Sequence, residues 1–138
     1  MSSLGNYFLI VFMIMCINFE VSVFDLLNRL YDEWNSQNDN VRGCYRLATA
    51  IVNAGRASDL FTNLNEEQRR NAIREALNNF YDEFNEKELN QIIEILLNNN
   101  FDNNQAIEYI VAIIQQVNDP TNNSHRDQVI LKNIQIIN

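Results

Sequence analysis

Residues 106–117 read AIEYIVAIIQQV, and this stretch decides the fold predicted for the chain. At about 100° per residue, the polar side chains Glu108, Gln115 and Gln116 fall on one narrow arc of a helix. Apolar side chains cover most of the remaining circumference: Ile107, Ile110, Val111, Ile113, Ile114 and Val117. A helix of this kind must be covered by other elements on several sides. The stretch therefore predicts a central apolar helix of a packed domain.

A β-strand is the alternative for this stretch, because isoleucine and valine favour strands. The length of a dozen residues, the single polar arc and a candidate N-cap at Asp102 or Asn103 favour the helix. A helix of this length is too short to cross the roughly 30 Å hydrocarbon core of a bilayer. We therefore expect it to be buried in protein.

Length and composition indicate one all-α domain at residues 23–138. A chain of 138 residues suits a single domain. Three glycines and one proline are very few for the tight turns of an all-β or α/β fold. Apolar residues recur at helical spacing and predict five or six short amphipathic helices between asparagine-rich loops. Short loops favour antiparallel neighbours and hence a compact bundle.

Two pairs of polar residues and one glycine mark expected helix ends. Asn65 with Gln68, and Asn85 with Glu88, have the spacing of a capping box at a helix N-terminus. Gly55 is expected to stop the second helix in a left-handed conformation. Residues 23–34 are predicted to form the first helix of the domain, since their apolar positions recur at helical spacing.

The N-terminal segment, residues 1–22, is apolar and almost free of charge. Residues 7–19 have the length of the apolar core of a signal peptide and are short for a transmembrane helix. We expect a signal peptide that is cut between Asn18 and Val23, and no stable membrane span. The alternatives are an uncleaved anchor and a buried N-terminal helix. The absence of basic residues counts equally against the signal peptide and the anchor.

The tail, residues 128–138, is rich in isoleucine. Ile130, Ile134 and Ile137 would share one face of a helix, whereas Ile134 and Ile136 alternate as in a strand. We expect a helix, with the strand as the alternative.

The charge of the chain argues against one class of partner. The net charge is −8, and the ten basic residues form no stripe. Such a surface repels phosphate, so nucleic-acid binding is not expected. Asparagine accounts for 24 residues, which fits codon bias in an AT-rich genome. An amide-rich surface that favours self-association is the alternative.

Cysteine supplies one candidate site. Removal of the signal peptide would leave Cys44 alone in an oxidising compartment, where an unpaired cysteine indicates an intermolecular disulfide or a free thiol. A homodimer linked through Cys44 is one prediction. An inert buried thiol is the other, because Cys44 shares a helical face with Leu47 and Ile51.

The chain has one sequon, Asn122-Asn123-Ser124, which makes Asn122 a candidate for N-glycosylation if the protein is secreted. The single histidine, His125, lies beside the sequon, and nothing in the sequence brings it to Cys44. We therefore expect no cysteine nucleophile.

Carboxylates are the remaining candidates for chemistry, as an acid–base pair or a metal site: Asp82, Glu83, Glu86, Glu88 and Glu94. No histidine or second cysteine completes a metal set, so they are interpreted as solvated helix faces. The sequence contains no phosphate-binding loop, dinucleotide fingerprint or nucleophile elbow. We predict no enzyme, no cofactor and no metal.

Aromatic residues are candidates for lining a cavity that holds a small apolar ligand: Trp34, Phe80, Tyr81, Phe84 and Tyr109. Such rings are more often ordinary core, which is the alternative.

The sequence as a whole predicts a secreted, non-enzymatic structural or interaction protein that acts by self-association or by binding another protein. Two alternatives stay open. One is a carrier of a small hydrophobic ligand, which requires a closed cavity beside the aromatic residues. The other is a viral or parasite effector with a helix-binding groove, which a buried N-terminal segment would favour.

Overall fold

The computed structural model of the protein describes residues 2–36 and 43–118, and in the first helix the side chains of residues 6, 9, 10, 13 and 17 onward. Within these ranges the chain forms five α-helices and no strand. The helices are α1 (Ser2–Ser36), α2 (Cys44–Gly55), α3 (Glu66–Phe80), α4 (Glu86–Leu97) and α5 (Asn103–Asn118). The predicted all-α class is therefore confirmed.

The main contacts between the five described helices form a closed ring. Helix α1 packs against α2 and α3, α2 also packs against α5, and α4 joins α3 to α5. Their inward-facing apolar side chains form one continuous core. Its largest fully buried members are Leu26, Leu30, Ile51, Ile73, Leu77, Ile92, Ile93, Ile95, Phe101, Ile110, Ile113 and Ile114. The predicted compact bundle is thus confirmed.

Helix α5 contains the stretch that predicted the core. Ile110 and Ile113 are completely buried, in contact with the rest of the apolar cluster. Glu108 and Gln115 are exposed, as the polar arc requires, whereas Gln116 on the same arc is buried. The helix packs mainly against α2 and α4, so its wide apolar surface serves two neighbours.

Reciprocal hydrogen bonds open three of the helices. The Asn65 side chain accepts from the backbone N–H of Gln68 at 2.8 Å, and the Gln68 side chain accepts from the Asn65 N–H at 3.0 Å. Asn85 and Glu88 repeat the pattern at 2.8 Å in both directions. Both predicted capping boxes are confirmed, and a third one begins at Asp102, the first of the two candidate caps for α5.

Replacement of Asn85 by alanine is expected to lower the free energy of unfolding by about 1 kcal/mol, because an N-terminal N–H of α4 loses its acceptor. Asn79 provides the matched control. It lies near the end of α3, and its side chain bonds back to the Glu75 carbonyl at 3.0 Å. Asn79→Ala should change stability by only a few tenths of a kcal/mol. Urea unfolding of the two variants measures the difference, and equal losses would contradict the capping role.

Gly55 ends α2, as predicted, but the predicted reason is wrong. Of the described glycines, only Gly43 has a positive φ, at 74°. A Cβ atom on Gly55 would lie 2.8 Å from Cδ1 of Leu96. Glycine is therefore suited to this position because α4 approaches α2 closely there, and not because the chain turns left-handed.

Helix α1 differs most from the prediction. The helix predicted at residues 23–34 is the C-terminal part of one continuous helix that begins at Ser2. At about 1.5 Å per residue, α1 is about 52 Å long and its neighbour α3 only about 22 Å. The described side chains at residues 6, 9, 10, 13 and 17 are all exposed. At these positions, the alternative of a buried N-terminal helix is not what the structure shows.

Two predictions lie outside the described residues: the helix at residues 128–138 and the sequon at Asn122. Both stay predictions.

Candidate protein-binding face

One side of α1 exposes large apolar side chains in a row. We call this surface the α1 apolar face; its residues are Leu9, Ile10, Met13, Ile17, Val21 and Phe24. Each of these side chains is between 51% and 63% exposed. Tyr31, which is 45% exposed, continues the row toward the end of the helix. A contiguous apolar surface of this kind is typical of a site where a protein binds a partner.

From Phe19 onward, the opposite side of α1 packs against the rest of the molecule. Ser22, Val23, Leu26 and Leu30 are buried, and the half-buried ring of Phe19 joins the same core. On a helix the centres of these two faces lie roughly 150° apart. The α1 apolar face is therefore a second surface that points away from the core.

Contacts in the C-terminal half of α1 fix the direction of this face. The Arg29 guanidinium donates to both carboxylate oxygens of Asp59, at 3.0 and 2.7 Å. Arg46 Nε donates to the Trp34 carbonyl at 2.6 Å, and the Trp34 ring lies edge-on to Phe80 at 6.2 Å. Helix α1 is thus held to α2, to the loop that follows α2, and to α3.

Charge is distributed unevenly along α1. Residues 2–19 contain no charged side chain, whereas Glu20, Asp25, Asp32 and Glu33 lie in the second half of the helix. Asp25, Asp32 and Glu33 are outside the α1 apolar face, whereas Glu20 falls at its edge, between the directions of Leu9 and Met13 at about 100° per residue. A partner can therefore cover the first half of the face without taking an ionised group out of water, which would be costly.

The sequence carried a signal for this face. Ile10, Ile17, Phe24 and Tyr31 are each seven residues apart, the spacing of positions that form the seam of a coiled coil. The signal peptide predicted at residues 1–22 ends within this series and therefore conceals the repeat.

Cys44 is the first residue of α2 and is half-buried. Its sulfur accepts a long hydrogen bond from the side-chain amide nitrogen of Asn118 at 3.7 Å, and Oδ1 of the same side chain accepts from the Tyr81 hydroxyl at 3.0 Å. Burial raises the pKa of Tyr81, and nearby Glu83 raises it further. Cys44 thus sits in a polar corner between α2, α3 and α5, and its intermolecular disulfide stays a prediction.

The five aromatic candidates are distributed over three ring contacts. The rings of Trp34 and Phe80 are 6.2 Å apart, and those of Tyr81 and Phe84 are 4.7 Å apart. The Tyr109 ring packs elsewhere, 4.9 Å from the buried ring that precedes α5. A cleft of about 340 Å³ includes Phe84, and another of about 440 Å³ includes none of the five. The structure thus places these rings in three separate contacts.

Two acidic candidates on α4, Glu86 and Glu94, are paired with arginines of α3. The third, Glu88, was predicted to lie on a solvated face, but it is buried, because its side chain accepts from the Asn85 N–H in the capping box of α4. Arg70 forms a salt bridge with Glu94 and a second one, at 3.2 Å, with Glu66 of its own helix. The Arg74 Nε atom lies 3.3 Å from Glu86. These groups fasten α3 to α4. Among the described residues, no group of three or more histidine, cysteine or acidic side chains could hold a metal ion.

Arg56 is the most highly connected polar side chain that the sequence did not indicate. Its guanidinium donates five hydrogen bonds of 2.9–3.1 Å. The acceptors are the backbone carbonyls of Ile95, Leu96, Asn98 and Phe101 and the side chain of Asn103. Burial lowers its pKa. Because its acceptors are backbone and amide oxygens at the end of α4 and the start of α5, Arg56 has a structural role and no free donor for a ligand.

Comparison with known proteins adds no relative: the chain matches no protein-family model, no curated protein and no solved structure. In the part of the chain that is described, no helix is both long and apolar enough to cross a membrane. Among the described residues, the α1 apolar face is the surface that supports a proposal about function.

Proposed function

We propose that this protein is a non-enzymatic interaction protein. Through the α1 apolar face it binds either another protein or a second copy of its own chain. One observation carries the proposal: six large apolar side chains are more than half exposed on the side of α1 that faces away from the core. A protein partner that covers them would gain the hydrophobic free energy that the monomer leaves unused.

The size of this gain supports a macromolecular partner. Covering the exposed half of one large apolar side chain contributes on the order of 1 kcal/mol. Six such side chains along a rise of about 22 Å offer several kcal/mol, and only a partner with an extended surface can reach them all. A small ligand would touch one or two of them, because they line a convex helix and not a cavity.

The proposal requires that the N-terminal segment is retained. Cleavage between Asn18 and Val23 would remove at least four of the six face residues. The packing of Phe19, Ser22 and Val23 on the core of the intact chain supports retention. Secretion stays a proposal from the sequence, and N-terminal sequencing of protein from the cells that produce it tests both points together. A mature chain that begins at residues 19–23 would contradict retention.

A photo-crosslinking amino acid at position 17 or 24 tests the binding function directly. In the cells that produce the protein, we expect either position to form protein crosslinks at least five times as often as position 115. Gln115 is the matched control, since it is exposed on α5, far along the chain from the face. Circular dichroism establishes that each variant is folded. Crosslinking at 17 and 24 no higher than at 115 would sink the proposal.

A further inference from the structure

The spacing of the apolar residues and the distribution of charge along α1 indicate which partner binds the α1 apolar face. We propose that the face binds the same face of a second copy of this chain, with the two α1 helices antiparallel and crossing near Ile17. This inference rests on the proposed function and names the partner of the same surface.

The spacing supports a partner that is itself a helix. The series Ile10, Ile17, Phe24 and Tyr31 makes three steps of seven residues on one side of α1. A seven-residue apolar repeat lets two helices stay in contact as they wind around each other. With Ile17 at the centre, Ile10 lies opposite Phe24 of the second copy. Residues 13 and 21 are equally far from this centre, so Met13 and Val21 are matched in the same way.

The charge pattern selects the antiparallel orientation. A parallel pair would place Glu20, Asp25 and Asp32 beside the same three carboxylates of the second copy, and like charges repel. An antiparallel pair places these carboxylates beside residues 2–14 of the other helix, which carry no charged side chain. The repulsion between Asp25 and Asp32 of the two copies is thereby removed, and the two Glu20 carboxylates, side by side in a parallel pair, are separated by about 9 Å along the helix axis.

The position of the remaining helices leads to the same orientation. Helices α2 and α3 pack against the C-terminal half of α1, on the side opposite the α1 apolar face, and α4 and α5 pack in turn against α3 and α2. In an antiparallel pair they lie at opposite ends of the joined helices and do not collide. Each chain has a net charge of −8. The antiparallel arrangement separates helices α2 to α5 of one copy from those of the other, which lowers the electrostatic repulsion between them.

Disulfide crosslinking of the full chain tests the orientation. Cys16→Ser and Cys44→Ser provide the background, and Ile10→Cys and Phe24→Cys are added to two chains that carry tags of different size. After mild oxidation of the mixture, the product that joins position 10 to position 24 should exceed either self-joined product at least fivefold. Ile17→Cys alone should join to itself. Self-joined products at 10 and 24 that dominate the mixture would show a parallel pair and overturn the proposal.

Sedimentation velocity of the unmodified chain provides the second measurement. We expect a dimer at micromolar concentration, and Ile17→Glu should weaken dimerisation at least 100-fold because it places two carboxylates against each other. Gln115→Glu adds the same charge on an exposed position of α5 and should leave the dimer intact. A monomeric unmodified chain would overturn the second copy as partner. Photo-crosslinks from position 17 to a different protein would then leave the proposed function standing, and their absence would remove both.

Discussion

Arg56→Ala is expected to lower the free energy of unfolding by about 3 kcal/mol, the largest loss from any single polar side chain described here. The guanidinium makes five hydrogen bonds of 2.9–3.1 Å, which engage Nε and both terminal nitrogens. Its acceptors include the carbonyls of Ile95 and Leu96 at the end of α4, which have no partner within the helix. Alanine would remove the Arg56 donor from both carbonyls and leave the Ile95 carbonyl with only the long bond from the Asn98 N–H, at 3.4 Å.

Two control substitutions separate geometry from charge. Arg56→Lys keeps the positive charge but replaces a planar fork of five N–H groups with one ammonium, so it should recover less than half of the loss. Arg29→Ala removes a bidentate salt bridge to Asp59 that is exposed to solvent. We expect it to lower the free energy of unfolding much less than Arg56→Ala does. Urea unfolding measures all three. If Arg56→Ala costs no more than Arg29→Ala, the proposed capping role of Arg56 is incorrect.

Arg56 also shows where prediction from this sequence reaches its limit. Its acceptors are 39 to 47 residues away along the chain, so no local pattern marks it. The same holds for Gly55, whose missing side chain leaves space for Leu96 on another helix. Both features depend on how α2 packs against α4. Sequence periodicity specifies which face of a helix is buried, but not which helix covers it.

Interactions between residues close together in the chain, by contrast, can be predicted from the sequence. A capping box joins residues three positions apart, so Asn65 and Asn85 could be recognised from the sequence alone. The apolar face of α5 repeats at the helical period, and Ile110 and Ile113 are buried as expected.

The candidate site was hidden because one apolar pattern suits two outcomes. Residues 7–19 have the length and hydropathy of the apolar core of a signal peptide. The same pattern is also typical of a helix whose exposed apolar side binds another protein. What distinguishes the two is the seven-residue series from Ile10 to Tyr31, which crosses the expected cleavage region. Only the continuity of α1 from Ser2 to Ser36 places the whole series on one surface.

Ile110→Ala is expected to lower the free energy of unfolding by about 2–5 kcal/mol, the range for removing a large side chain from a well-packed core. Ile110 is completely buried in α5, so its loss removes apolar contacts and leaves a cavity. Val111 is the matched control, one residue further along the same helix but only half-buried. Val111→Ala should cost roughly 1 kcal/mol or less, since a smaller group is removed from a surface that water already reaches.

Thermal and urea unfolding of the two variants compare the neighbouring positions directly. A loss at Val111 equal to that at Ile110 would mean that α5 is covered on both sides, and its half-exposed flank would need a partner in solution. A small loss at Ile110 would mean that the core adjusts around the missing side chain, and that α5 is not the helix on which the stability of the bundle depends. Because Ile110 faces the interior and the α1 apolar face does not, Ile110→Ala should leave the affinity between two copies unchanged wherever the protein is still folded.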